Sequence, residues 1–176
     1  MAVGAYLGVK AAKARKKSKP TVKKNPGTVF ALAGAMFAYG LLKGKLLASQ
    51  AVCDPNCPEC VGTVRDKWGA WTQPTHLLKN VTGPLTEEVL FRHTLHPLVG
   101  AQASGVMFGA LHASPKLSAG ANMLRVLEAG LAGALVYGHA YTHGGLLGST
   151  LVHAAHNAGA DFGTYSGMTD QRRRSL

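Results

Sequence analysis

The sequence predicts an all-α protein, a polytopic transmembrane helical bundle with a basic N-terminal tail. Three observations lead there. Charged residues make up 15% of the 176-residue chain and the set AVILMFWYC 47%, against about 25% charged in ordinary soluble domains, so solvating side chains are scarce. No segment shows sustained period-2 alternation or an Asn-Gly or Asp-Gly hairpin signal, so none reads as a strand. Small residues recur at four-residue spacing, Gly105 and Gly109, then Gly130, Ala134 and Gly138, the pattern that lets helices in a membrane approach closely.

Residues 1–27 form the basic cytoplasmic tail. The first 24 residues hold eight Lys/Arg and no acid, out of a net charge of +11, and this stretch dilutes the mean hydropathy to +0.07. Such a cluster beside an apolar segment attracts anionic lipid headgroups, at about 1 kcal/mol per residue, and fixes the cytoplasmic side of the first span. Nucleic acid is an unlikely partner, because Tyr6 is the tail's one aromatic and base stacking has almost nothing to work with.

Residues 28–51 read as the first transmembrane segment, retained rather than cleaved. A basic stretch too long for a secretory n-region, and Lys43 and Lys45 ahead of the small-residue site at Ser49-Gln50-Ala51, argue against a signal peptide. The two lysines are expected to snorkel. Residues 52–83 read as a loop-rich connector marked by Pro55, Pro58, Pro74 and the Gly83-Pro84 break that ends it. It carries Trp68 and Trp71, suited to a membrane interface, and Cys53, Cys57 and Cys60, which with His76 present a Zn-compatible set or, equally, a disulfide and a free thiol. From residue 84 the chain is expected to form helices over about 85–96, 98–113, 120–142 and 145–163, followed by a basic C-terminal tail at 164–176. Arg172-Arg173-Arg174 places that tail on the same side as the first by the positive-inside rule, which five segments satisfy only if one is re-entrant.

Ionisable residues inside such helices are costly, so each is a functional candidate. Thr86 reads as the N-cap of a helix with Glu87 and Glu88 in its first turn. Glu88 and Arg92, four apart, can pair on one face, while Glu87, turned roughly 100° away, stays free as the working carboxylate. Phe108 and His112 share a face at the same spacing, as do His153 and Asn157. A carboxylate and an imidazole can hold and deprotonate a water, and an imidazole N–H with an amide N–H can stabilise an oxyanion. The alternative is a divalent metal, Zn among the candidates, held by Glu87, His112 and His153 with an open position that generates hydroxide. His139 and His143, also four apart, lie beside Gly144-Gly145 and read as a helix end at the interface; Arg125 and Glu128 read as a local pair.

Glu-Glu-x-x-x-Arg, Phe-x-x-x-His and His-x-x-x-Asn, in that order on successive apolar helices, resemble the CPBP family of intramembrane proteases, which includes the CAAX prenyl endopeptidases and the Abi proteins. The resemblance covers about residues 84–162 and implies a catalytic helical core at 84–163. It implies that Glu87 and His112 activate water, that His153 and Asn157 line the oxyanion site, that Glu88 and Arg92 support the first motif, and that Phe108 packs beside it. The substrate would be a membrane-bound or prenylated protein and the enzyme a multi-pass integral membrane endopeptidase, N-terminus cytoplasmic, of metallo or glutamate type. Two other readings compete. One is a non-catalytic scaffold, an immunity or assembly protein on the same fold, against which the intact motif residues speak. The other is a His-lined transporter, which needs polar residues spread along a path rather than gathered in three motifs.

Overall fold

The computed structural model describes residues 24–53, 74–114 and 119–174, without the side chains of residues 50–53, 76, 77 and 168–174. Residues 1–23 of the basic tail, Cys57, Cys60, Trp68 and Trp71, and the side chains of Cys53, His76 and Arg172-Arg173-Arg174 therefore lie outside the described residues. All described elements are helical, as expected: α1 (Pro26–Cys53), α2 (Pro74–Glu88), a π-helical segment (Val89–Leu95), α3 (His96–Val99), α4 (Ala101–Leu111), α5 (Ala119–Leu131), a second π-helical segment (Ala132–Tyr137) and α6 (Gly138–Arg174).

The helix boundaries follow from local chemistry. Asn25 caps α1, its Oδ1 accepting from the Thr28 amide at 3.2 Å, and Pro26 takes the first helical position where its missing N–H costs nothing. Gly100, at φ 86°, ends α3 and lets the chain turn directly into α4. Gly145, at φ 63° and ψ −156°, breaks α6 into two helices, just after His143, where the sequence places a helix end.

Three expectations are corrected. The helix carrying Glu87 begins at Pro74, so Thr86 is not an N-cap; its hydroxyl donates back to the Thr82 carbonyl at 2.9 Å. Pro84, read as a breaker, is buried inside that helix, and the connector is thus helical from residue 74. At the other end α6 runs on as helix to Arg174, through most of the expected tail.

Packing is set by small residues. α4 and the helix from 119 to 137 lie antiparallel: a Cβ on Gly105 would strike Ala134, and one on Gly109 would strike the Val126 carbonyl and Gly130. α1 and the second half of α6 run parallel, along a seam the sequence reading did not single out. Gly40 and Gly44 sit on the backbone of His156–Thr164, and Gly159 and Gly163 sit on the carbonyls of Phe37 and Leu41. Two Gly-x-x-x-Gly rows facing each other bring backbones into contact, which no other residue allows.

The surface is apolar and the centre polar. Phe30, Leu42, Leu111, Leu124 and Leu147 are exposed, while Glu88, Arg92, Ser104, Ser149, His153, Asp161 and Thr164 are buried. Water would favour the reverse; hydrocarbon favours this. Among the described residues two helices are long and apolar enough to cross a membrane, Pro26–Ser49 and the 49-residue stretch Ala119–Gly167 that Gly145 interrupts.

A buried carboxylate and imidazole cluster

Three helices supply the cluster. α2 ends on Glu87 and Glu88, and the chain continues directly as a π-helix that carries Phe91 and Arg92. π-helical turns are rare and concentrate at functional sites. The Phe91 carbonyl accepts the His96 amide as the π-helix closes and also the Ser104 hydroxyl of α4, at 2.6 Å in a buried bond. That bond ties α4, with Phe108 and His112, to the segment bearing the carboxylates.

Glu88 is fully buried between two cations or cation-capable groups. Its Oε2 lies 3.3 Å from Arg92 Nε, an ion pair at the predicted four-residue spacing, although off the axis of a hydrogen bond. Its Oε1 accepts from His153 Nδ1 at 3.0 Å. Arg92 is 1% exposed in its side chain, and its guanidinium lies 4.6 Å from the Phe108 ring centroid and 5.5 Å from that of Tyr137. Gly133, in the second π-helical segment, makes room for it: a Cβ there would meet Arg92 Nη2 and the Phe108 ring. Taking a guanidinium out of water is tolerable only with a carboxylate and aromatic faces around it.

His153 is oriented on three sides. Nδ1–H donates to Glu88, so the other nitrogen, Nε2, points at Glu87 Oε2, 3.7 Å away. Tyr137 stacks on its ring, centroids 4.4 Å apart at 14°, and Phe108 meets it edge-on at 5.7 Å. His112 closes the group at the C-terminal end of α4. Its Nδ1 donates to the Phe108 carbonyl at 2.8 Å, which leaves Nε2 facing Glu87 Oε2 at 4.0 Å. Glu87 Oε2 is buried, makes no hydrogen bond within the described residues, and is approached by both imidazoles. Separations of 3.7 to 4.0 Å are too long for direct hydrogen bonds and suit a shared water or substrate oxygen.

The structure thus brings together Glu87, Glu88, Arg92, Phe108, His112 and His153, all singled out from the sequence. Phe108 is the hub, touching Phe91, Tyr137, His112 and His153 with its ring. Asn157 follows His153 by one turn on α6, half-buried, and makes no hydrogen bond with the cluster. The three donors considered for a metal are Glu87, His112 and His153. They do not meet as a ligand sphere, and no group of three His, Cys, Asp or Glu among the described residues does.

The sequence reading missed Tyr137, whose hydroxyl pairs with His156 Nδ1 at 2.8 Å beneath the stacked His153, and Ser104. A tyrosine in an otherwise small and aliphatic stretch was the available signal for the first. It also mispaired Glu128. Arg125 is not its partner; Lys43 of α1 donates to both carboxylate oxygens at 2.5 and 2.6 Å, and the Tyr39 hydroxyl donates at 2.9 Å. Lys43 therefore turns inward instead of snorkelling, because a carboxylate at the same depth is the better partner.

An all-helical scaffold with an apolar exterior that encloses carboxylates and imidazoles defines a membrane-embedded protein with a chemically equipped interior. The family model for the type II CAAX prenyl endopeptidase Rce1-like domain matches residues 69–159. That is just over half of the chain, and the chain belongs to this family of membrane-embedded CAAX-type proteases. No curated protein and no solved structure matches the chain.

Proposed function

We propose that the protein is an intramembrane endopeptidase that hydrolyses a peptide bond near the C-terminus of a membrane-bound or prenylated, CAAX-type protein. The observation that carries this is Glu87 Oε2, an unpaired buried carboxylate oxygen facing the Nε2 atoms of both His112 and His153. Glu87, with His112, takes a proton from a water held among them. The resulting hydroxide attacks the scissile carbonyl carbon. The proton passes to the leaving nitrogen as the C–N bond breaks, so one water is consumed and an acid and an amine are released.

His153 and Asn157 hold the oxyanion. Glu88 and Arg92 act through His153 as positioning residues. Phe108 fixes the spacing of the two imidazoles. The chain is multi-pass with its basic N-terminus cytoplasmic, which keeps the eight positive charges of residues 1–24 on the side the positive-inside rule favours.

Cleavage of a prenylated C-terminal peptide by the purified full chain in detergent tests the reading, for wild type, Glu87→Ala and His112→Ala, each with and without a chelator. Wild-type cleavage that both substitutions abolish supports it. Insensitivity to the chelator assigns the water activation to the carboxylate, and sensitivity overturns that assignment. A wild type that cleaves nothing, with full-strength binding of the peptide, places the chain as a non-catalytic scaffold on this fold.

A further inference from the structure

A cavity of about 490 Å³ opens on the cluster, lined by Glu87, Leu90, Leu111, His112, Ser114 and Arg125 among others. Its size lies in the ~300–1,000 Å³ range of pockets that enclose a small ligand, enough for a few residues of peptide. Among the described residues Arg125 is the one formally charged cation on its walls. It is exposed and makes no ion pair or hydrogen bond with another described residue. The adjacent acid Glu128 is already held by Lys43 and Tyr39, and the other nearby arginine, Arg92, is buried against Glu88.

Arg125 is also fixed relative to the cluster. The Ser114 amide donates to Asn122 Oδ1 at 2.7 Å and Asn122 Nδ2 donates to the Ser114 carbonyl at 2.8 Å. This clamp ties the segment leaving His112 to the turn of α5 just before Arg125. A guanidinium among Leu124, Val126 and Leu127 calls for an anionic partner, and the same cavity contains Glu87, which repels anions. A carboxylate is therefore better placed against Arg125 than beside Glu87. The backbone of a peptide offers one obligatory anion, its terminal carboxylate, and the fork of a guanidinium matches a carboxylate in bidentate fashion.

We propose that Arg125 is the receptor for the free α-carboxylate of the peptide cut at Glu87 and His112. The proposal rests on the endopeptidase reading above.

The test uses a fluorescent prenylated peptide made twice, with a C-terminal acid and with a C-terminal amide, presented to the full chain in detergent. Both cleavage and anisotropy binding are measured, the latter on a Glu87→Ala background where turnover does not interfere. The acid form is expected to exceed the amide form by roughly 10- to 100-fold in kcat/KM and in affinity, the range of a hydrogen bond to a charged group. That ratio is expected to fall to near one in Arg125→Gln and to be partly kept in Arg125→Lys, which retains the charge but loses the fork. Equal handling of acid and amide by wild type overturns the proposal, as expected if Arg125 only snorkels to the headgroup layer. A preference that survives Arg125→Gln overturns it too. If wild type cleaves neither peptide, the endopeptidase reading fails, and binding still decides the carboxylate receptor: an Arg125-dependent preference for the acid upholds it, and its absence ends it.

Discussion

The α1–α6 seam and the carboxylate–imidazole cluster both hold helices together at membrane depth, by opposite means. The seam works by subtraction: Gly40, Gly44, Gly159 and Gly163 have no side chains, and the backbones meet. The cluster works by addition, with a fully buried Glu88 joined to Arg92 and His153 and roofed by Phe108 and Tyr137. In lipid there is no hydrophobic drive between helices, so either close backbone packing or polar contact must supply association. The seam has no chemistry to offer. The cluster stabilises the fold and also leaves Glu87 Oε2 without a direct hydrogen bond among the described residues, which is what a group that must engage a reactant needs.

That contrast can be broken at four points, given in falling order of effect. Glu87→Ala is expected to lower kcat/KM by about 10²- to 10⁴-fold, the contribution of a positioned general base, with little change in the thermal unfolding midpoint; a large fall in that midpoint would make Glu87 a structural residue instead. Arg92→Met leaves Glu88 buried without its cation and should cost about 3–5 kcal/mol of stability. The double variant Glu88→Gln/Arg92→Met should recover part of it, and unfolding of both variants in the same detergent checks the sign.

Gly163→Leu drives a side chain into the Leu41 carbonyl, and overpacking of this kind costs about 1–3 kcal/mol. The folded fraction should keep wild-type turnover per molecule, because Gly163 lies about three helical turns beyond His153 on α6; a fall in specific activity at full folding would join the two regions. Ser104→Ala removes one buried hydrogen bond to the Phe91 carbonyl and should cost about 1 kcal/mol. It should also loosen the π-helical turn, read as faster amide exchange over Val89–Leu95 than over α4.

Much of this was legible in the chain. Helix class, the break near Gly145 and the Glu88–Arg92 pair were among it, the pair because a four-residue step on a helix is a contact whatever surrounds it; the break expected at Pro97 falls instead at Gly100. The antiparallel packing through Gly105, Gly109, Gly130 and Ala134 was foreshadowed by their repeat. The helix start at Pro74 was not, because Pro84 reads as a stop until α6 is seen packing on that segment. Glu128 was paired with the nearest cation in sequence, Arg125, when the cation nearest in space is Lys43, 85 residues away.

By itself the sequence determined the local geometry: which residues share a face, which carry charge into an apolar helix, and which family motif they compose. The tertiary structure alone decided that Glu87 Oε2 would face two imidazoles from two other helices, that His153 would be turned toward it by Glu88 and Tyr137, and that α1 would lie parallel to α6. The reason is range. Contacts within a turn are fixed by 3.6 residues per turn and appear in any helix, whereas the meeting of residues 87, 112 and 153 depends on how glycine-lined backbones and buried charges settle against one another.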